Sequence, residues 1–143
     1  MLTIMHTEAS LGWGGQELRI LSEATAFAKR GFRLLIACQP RSRLALGAQR
    51  RGLSVRPVAM PRAFDAAAWW RLRRLMRAEG VDLVHTHSSI DAWLAGFAAK
   101  SLRLPVVRSR HVSIPVKRRR NFVYNVLCDR IISSGDAIRD VLI

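Results

Sequence analysis

The sequence predicts an α/β domain in three layers, α/β/α, with a mainly parallel sheet covered by helices on both faces. Short apolar runs alternate with amphipathic stretches at the rhythm of βαβ units. The runs are nearly continuous in Val, Ile and Leu, as expected of strands buried on both faces. Gly31, Gly52 and Gly80 each stand just past a helical pattern, where a left-handed residue ends a helix.

The elements follow in order. Strands are expected over residues 2–6, 33–38, 54–59, 83–86, 106–109 and 130–133. The first helix, 16–29, follows a glycine-rich loop and places Leu18, Leu21, Thr25 and Ala28 on one face. A short basic helix covers 43–50. The helix over 66–78 starts after an Asp65 N-cap. The helix over 92–101 follows Asp91, with Ser88 or Ser89 as a further capping candidate, and a last helix covers 121–127. Residues 136–143 begin like another helix and stop on Val141-Leu142-Ile143 without a cap. One domain spanning 1–143, incomplete at its C-terminus, is the expectation.

The chain has 143 residues, half of them apolar, which is enough for a real core and unlike a disordered segment. Its net charge of +14 is unevenly spread. Lys and Arg outnumber Asp and Glu by ten to two over residues 41–80 and by eight to one over 101–130. Two basic blocks of this kind suit phosphates, an anionic membrane face or nucleic acid. No nucleic-acid motif accompanies them, which disfavours that partner. Cys38 and Cys128 lie far apart in apolar contexts and are read as two buried, reduced thiols. No secretory pattern opens the chain and no apolar run approaches a membrane span, so a cytoplasmic location is expected.

Residues 12–17, Gly-Trp-Gly-Gly-Gln-Glu, lie between the first strand and the first helix. Glycines there let a ligand approach the backbone, and the helix start offers N–H groups to an anion. The dinucleotide fingerprint fails, because position 17 is Glu and the second strand ends Cys38-Gln39-Pro40 without an acid. The Walker pattern fails as well. Gly14 and Gly15 are the candidate anion contacts, against the plainer reading of a tight turn.

His85 and His87 alternate along one strand, so both face the same side near its C-terminal end, where open α/β sheets bind ligands. A hydrogen-bonding or cleft-wall role is expected, or a buried and satisfied histidine. A metal would need a further ligand, and the neighbouring sequence offers no well-placed Cys, Asp or Glu. His111 follows the fifth strand with Arg110 beside it. The pair could contact substrate hydroxyls and phosphate, or could simply lie on an exposed loop.

In residues 69–77, Trp69, Leu72, Leu75 and Met76 fall on one side of a helix. Trp70, Arg73, Arg74 and Arg77 fall on another. Two readings fit: a solvated surface helix, and a basic amphipathic helix on an anionic bilayer. Lys117, Arg118, Arg119 and Arg120 form a second cationic stretch, which could be solvated, touch lipid head groups or guide an anionic substrate.

Several motifs together carry a resemblance. These are Gly-Gly before the first helix, Val-Asp-Leu-Val-His-Thr-His-Ser over 81–88, Leu-Pro-Val-Val-Arg-Ser-Arg-His over 104–111, and Ile-Ile-Ser-Ser-Gly-Asp-Ala-Ile-Arg-Asp over 131–140. In this order the chain resembles the N-terminal domain of a GT-B glycosyltransferase of glycosyltransferase family 4. The resemblance implies a Rossmann-like domain on the acceptor side of a cleft. It also implies retaining transfer from a nucleotide sugar, with no bound cofactor and no catalytic metal. It places Gly14 and Gly15 at donor phosphates or acceptor, His111 near the transferred sugar, and His87 and Ser88 along the acceptor side. Many members act on membrane lipids or lipopolysaccharide and dock peripherally on the inner membrane face through a basic, aromatic helix. The paired-glutamate donor motif of the C-terminal domain has no match here, so no useful transferase activity is expected of this chain alone.

Overall fold

The computed structural model describes residues 1–12, 14–110 and 126–133. They form six strands and four helices: β1 (Thr3–Glu8), α1 (Gly15–Lys29), β2 (Arg33–Cys38), α2 (Arg43–Arg50), β3 (Ser54–Pro57), α3 (Ala66–Ala78), β4 (Leu83–Thr86), α4 (Ser89–Ser101), β5 (Val106–Arg110) and β6 (Arg130–Ser133). All five strand pairings are parallel, in the order β3-β2-β1-β4-β5-β6. The expected α/β/α layering with a parallel sheet is therefore present, and the order reverses between β1 and β4.

Alternation along the strands sorts the core into two layers. Leu34, Ile36 and Cys38 of β2 face α1 and α2, where Ile20, Leu21, Ala24, Leu44 and Ala48 close one cluster. Leu35 and Ala37 face the opposite way, with Met5, Val84 and Val106, onto Leu72 and Met76 of α3 and Leu94 and Ala98 of α4. Leu127 packs directly on α4 over Gly96, where a Cβ would lie 3.1 Å from that of Leu127. Glu79, next to the end of α3, binds Arg56 Nε at 2.7 Å and also Arg33, tying β2 and β3 to α3. These bonds hold its carboxyl below the usual range, Arg56 contributing most.

The boundaries of β2, β4, β6, α2 and α3 match the sequence reading, and Asp65 caps α3 through its bond from the Ala68 N–H. Gly31, Gly52 and Gly80 have φ of 92°, 71° and 63°, the conformation that ends a helix most cheaply at glycine.

Four expectations are corrected. β1 runs on to Glu8, because polar side chains at 6–8 leave the backbone pairing to β2 and β4 intact. α4 begins at Ser89, since the Asp91 carboxylate caps the turn that contains it and not only the one that follows. The buried face of α1 is Glu17, Ile20, Leu21 and Ala24, and Leu18 is 44% exposed. Cys38 is buried but Cys128 only half-buried, both as free thiols. In addition, β3 closes at Pro57, two residues early, and Val126 and Leu127 lie in a turn and bend rather than a helix. Positions 121–125 and 136–143 lie outside the described residues.

Candidate functional site

Doubly wound sheets open a crevice at the C-terminal ends of their strands where the strand order reverses. Here that point lies between β1 and β4. Two helix N-termini border it: α1, entered from Gly14, and α4, entered from Ser88.

The two termini are finished differently. At α4, Ser88 and Asp91 form a capping box. Asp91 is fully buried and accepts from the backbone N–H of His87 and of Ser88 at 2.9 Å each, from Thr7 Oγ1 at 2.8 Å, and from the Ser88 hydroxyl. One carboxylate thereby joins β1, the end of β4 and α4. At α1, no side chain caps the first turn. Gly14 at the N-cap has no side chain to offer, and the first N–H groups carry the positive end of the helix dipole.

Gly14 is extended, with φ −170°, and a Cβ there would meet nothing closer than Glu17 Oε2 at 3.7 Å. At Gly15 a Cβ would meet nothing within 4 Å. Neither glycine is required by backbone conformation or by packing within the domain. A ligand approaching the backbone would require both. Replacing either by alanine is therefore expected to leave stability within about 0.5 kcal/mol of the parent, measured by urea unfolding, while weakening anion binding at the loop.

Glu8 ends β1 beneath this loop. It is fully buried, accepts from the Ser10 N–H at 2.9 Å, and is bonded by the Gln16 side chain. Burial pushes its carboxyl up to about 7, the nearby Asp91 charge adds to this, and bonds from Ser10, Gln16 and Ser88 oppose it. Near neutrality Glu8 is thus substantially protonated, which reduces its repulsion of an anion at the α1 terminus. Gln39 occupies the place of the acid in a dinucleotide site. Its amide bonds the backbone of Ala9 and Met60 instead, which anchors the loop.

His85 and His87 do share a side, their rings stacked with centroids 4.2 Å apart. The sequence reading missed the third imidazole, His6, which the β1–β4 register sets beside His85. His6 Nδ1 lies 2.9 Å from His87 Nε2, and His85 Nε2 lies 2.6 Å from Ser109 Oγ. Burial alone lowers His6 to about 4, so it is neutral. Arg108, also missed, is buried and donates to the Ser88 carbonyl at 2.9 Å.

Gly14 and Gly15 thus stand at the start of α1, and His87 and Ser88 just before α4, the two helices that follow the paired strands β1 and β4. Arg110 ends β5, its side chain outside the described residues, as are His111, Lys117, Arg118, Arg119 and Arg120. The basic helix is a separate surface. Leu72 and Met76 are buried and Trp69 and Leu75 half-buried, while Trp70, Arg74 and Arg77 are exposed, with Arg71 beside them. Arg73 is drawn to Ser101 Oγ at 3.0 Å and lies 5.9 Å over the Trp70 ring. Next to this face, Phe64, Trp69, Trp93 and Phe97 line an apolar groove of about 220 Å³ between α3 and α4. Among the described residues no helix is long and apolar enough to cross a membrane.

Sheet order and layering define a Rossmann-like domain of the kind that forms half of a GT-B protein. The chain belongs to Glycosyltransferase Family 4, whose profile matches residues 13–143. It is similar in fold to a glycosyltransferase from Rickettsia africae, with a TM-score of 0.81 at 16% identity over 99% of this chain and 38% of that one. Alr3699/HepE from Anabaena, solved in complex with UDP and glucose, gives 0.78 at 15% identity over 99% and 40%. MurG from Acinetobacter baumannii gives 0.75 at 15% identity over 93% and 41%. The chain thus spans about two fifths of the length of these proteins. No curated protein matches it in sequence.

Proposed function

We propose that this chain is the acceptor-side domain of a retaining glycosyltransferase that takes sugar from a nucleotide donor to a lipid-linked or cell-envelope glycan. The carrying observation is the strand-order reversal between β1 and β4, where α1 starts from Gly14 without an N-cap side chain and a Cβ at Gly14 or Gly15 would meet no close neighbour. Backbone N–H groups fixed there would stabilise charge on the departing diphosphate. In this reading His87 and Ser88 serve the acceptor side, and the family resemblance assigns Arg110, the last residue of β5, and His111, the next in sequence, to the substrate, with His111 beside the transferred sugar. A second domain of the enzyme holds most of the nucleotide, without a metal.

The exposed Trp70, Arg74 and Arg77 support peripheral attachment to the inner face of the cytoplasmic membrane, with Lys117, Arg118, Arg119 and Arg120 as further lipid contacts. Each basic residue at an anionic surface contributes about 1 kcal/mol. Arg74→Ala with Arg77→Ala is therefore expected to weaken binding to phosphatidylserine-containing vesicles roughly 30-fold, measured by co-sedimentation. Tight salt-dependent RNA binding with no vesicle binding would remove the membrane reading.

The activity is tested by supplying the complete enzyme with labelled nucleotide sugars and cell-envelope lipids. Label should enter the lipid or glycan fraction with retained anomeric configuration, and Gly15→Ala should reduce the rate. The 143-residue chain alone should transfer nothing. Inverted product, or no transfer from any uridine, guanosine or cytidine donor, would reject the proposal.

A further inference from the structure

We infer that His6, His85 and His87 form a binding site for one transition-metal dication of the zinc type, which ties β1 to β4 beneath the crevice. One nitrogen from each of the three imidazoles lies within 4.8 Å of the other two, and all three residues are buried. The rings pack with centroids 4.2, 4.9 and 5.2 Å apart. The His6 Nδ1 to His87 Nε2 separation of 2.9 Å needs to open only modestly. Ligands about 2.05 Å from a tetrahedral zinc ion stand roughly 3.3 Å apart.

The ion takes His6 Nδ1, the nitrogen that faces His87 Nε2; the other nitrogen of that ring, Nε2, is buried without a hydrogen-bond partner. The surroundings also suit a cation. Ser109 bonds His85 Nε2 at 2.6 Å, an outer contact of the kind that orients metal-binding imidazoles. Asp91 accepts from the backbone N–H of His87, which sets a carboxylate beside the end of the strand that carries two of the three imidazoles. Nitrogen ligands select zinc, cobalt, nickel or copper over magnesium and calcium. The ion fixes the spacing of the two strands whose ends carry the α1 loop and α4. It shares His87 with the acceptor side of the proposed function, but metal binding is read without turnover and does not depend on that reading.

The test is a cobalt(II) titration of the chelator-stripped full chain. The expected result is one equivalent bound, with visible ligand-field bands of tetrahedral intensity that zinc abolishes and magnesium leaves unchanged. A hundredfold excess of zinc over its Kd should raise Tm by roughly 5–10 °C. His85→Gln and His87→Gln should each abolish the bands. Ser109→Ala, which retains every ligand, should weaken binding about 10-fold, and it decides the matter if the histidine variants do not fold. Absence of cobalt binding by the stripped parent chain overturns the site. Binding that is unchanged in Ser109→Ala and in whichever histidine variants fold overturns it too, and leaves three histidines held by hydrogen bonds and ring packing.

Discussion

Replacing Asp91 by alanine is expected to cost the domain about 3–5 kcal/mol, a large part of a typical total stability. The carboxylate accepts from Thr7 Oγ1, from the N–H groups of His87 and Ser88, and from the Ser88 hydroxyl, and it is fully buried. Hydrogen bonds to a buried charge contribute about 1.5–3 kcal/mol each. The four share one acceptor, so their losses do not add in full. Alanine leaves all four donors seeking water in a space the fold has closed. Asn keeps one carbonyl oxygen and is expected to cost about half as much. Urea unfolding at pH 7 measures both. A loss below about 1 kcal/mol for alanine would show that water replaces the carboxylate readily, and that Asp91 does not hold β1, β4 and α4 together.

Asp91 also marks where sequence reasoning stopped short. The residue was legible as a helix-start signal, and the capping box is present. Its bond to Thr7 was not legible, because nothing in the local sequence says that β1 lies beside β4. The same gap hid His6. A search along the chain near His85 and His87 finds no third ligand, since the ligand comes from 79 residues earlier through strand register. Glu8 was missed for a different reason. Ending the first strand at His6 followed the apolar run, but polar residues at strand ends keep their backbone pairing and collect at the ligand face. The alternation of Ile4, His6 and Glu8 was the available signal.

What sequence resolved well was governed by local rules. The glycines after α1, α2 and α3, the Asp65 cap and the apolar runs of β2, β4 and β6 each act within a few residues. The face of α1 was not so governed. Leu18 and Ile20 are comparable by hydropathy, and the choice depends on which stripe meets β2. The helix of residues 66–78 was read correctly on both faces, apart from Arg73. Its bond to Ser101 on α4 draws it off the solvated stripe, again through a neighbour that sequence spacing does not reveal.

Glu8→Gln should turn a nearly flat pH–stability profile into a steep one. Two buried groups at the end of β1 titrate in opposite senses. Burial, then the Asp91 charge, raises Glu8 from 4.5 to about 7. Between those values the folded state holds more protons than the unfolded chain, so stability falls as pH rises and levels off above 7. Burial lowers His6 from 6.5 to about 4. Between those values the unfolded chain holds more protons, so stability rises with pH and is lost as pH falls through that window. Each group contributes about 3 kcal/mol over its own window, and the windows overlap from 4.5 to 6.5. In chelator-containing buffer the parent protein should vary little across that overlap. Removing the Glu8 carboxyl leaves the His6 slope alone, so the variant should gain about 3 kcal/mol between pH 4.5 and 6.5. Asp91→Asn offers a check on the cause. Without the neighbouring charge, Glu8 should titrate at lower pH and the fall in stability should begin and end earlier. Urea unfolding at half-unit pH steps reads all three proteins, and parallel profiles for parent and Glu8→Gln would mean that Glu8 titrates at its ordinary value.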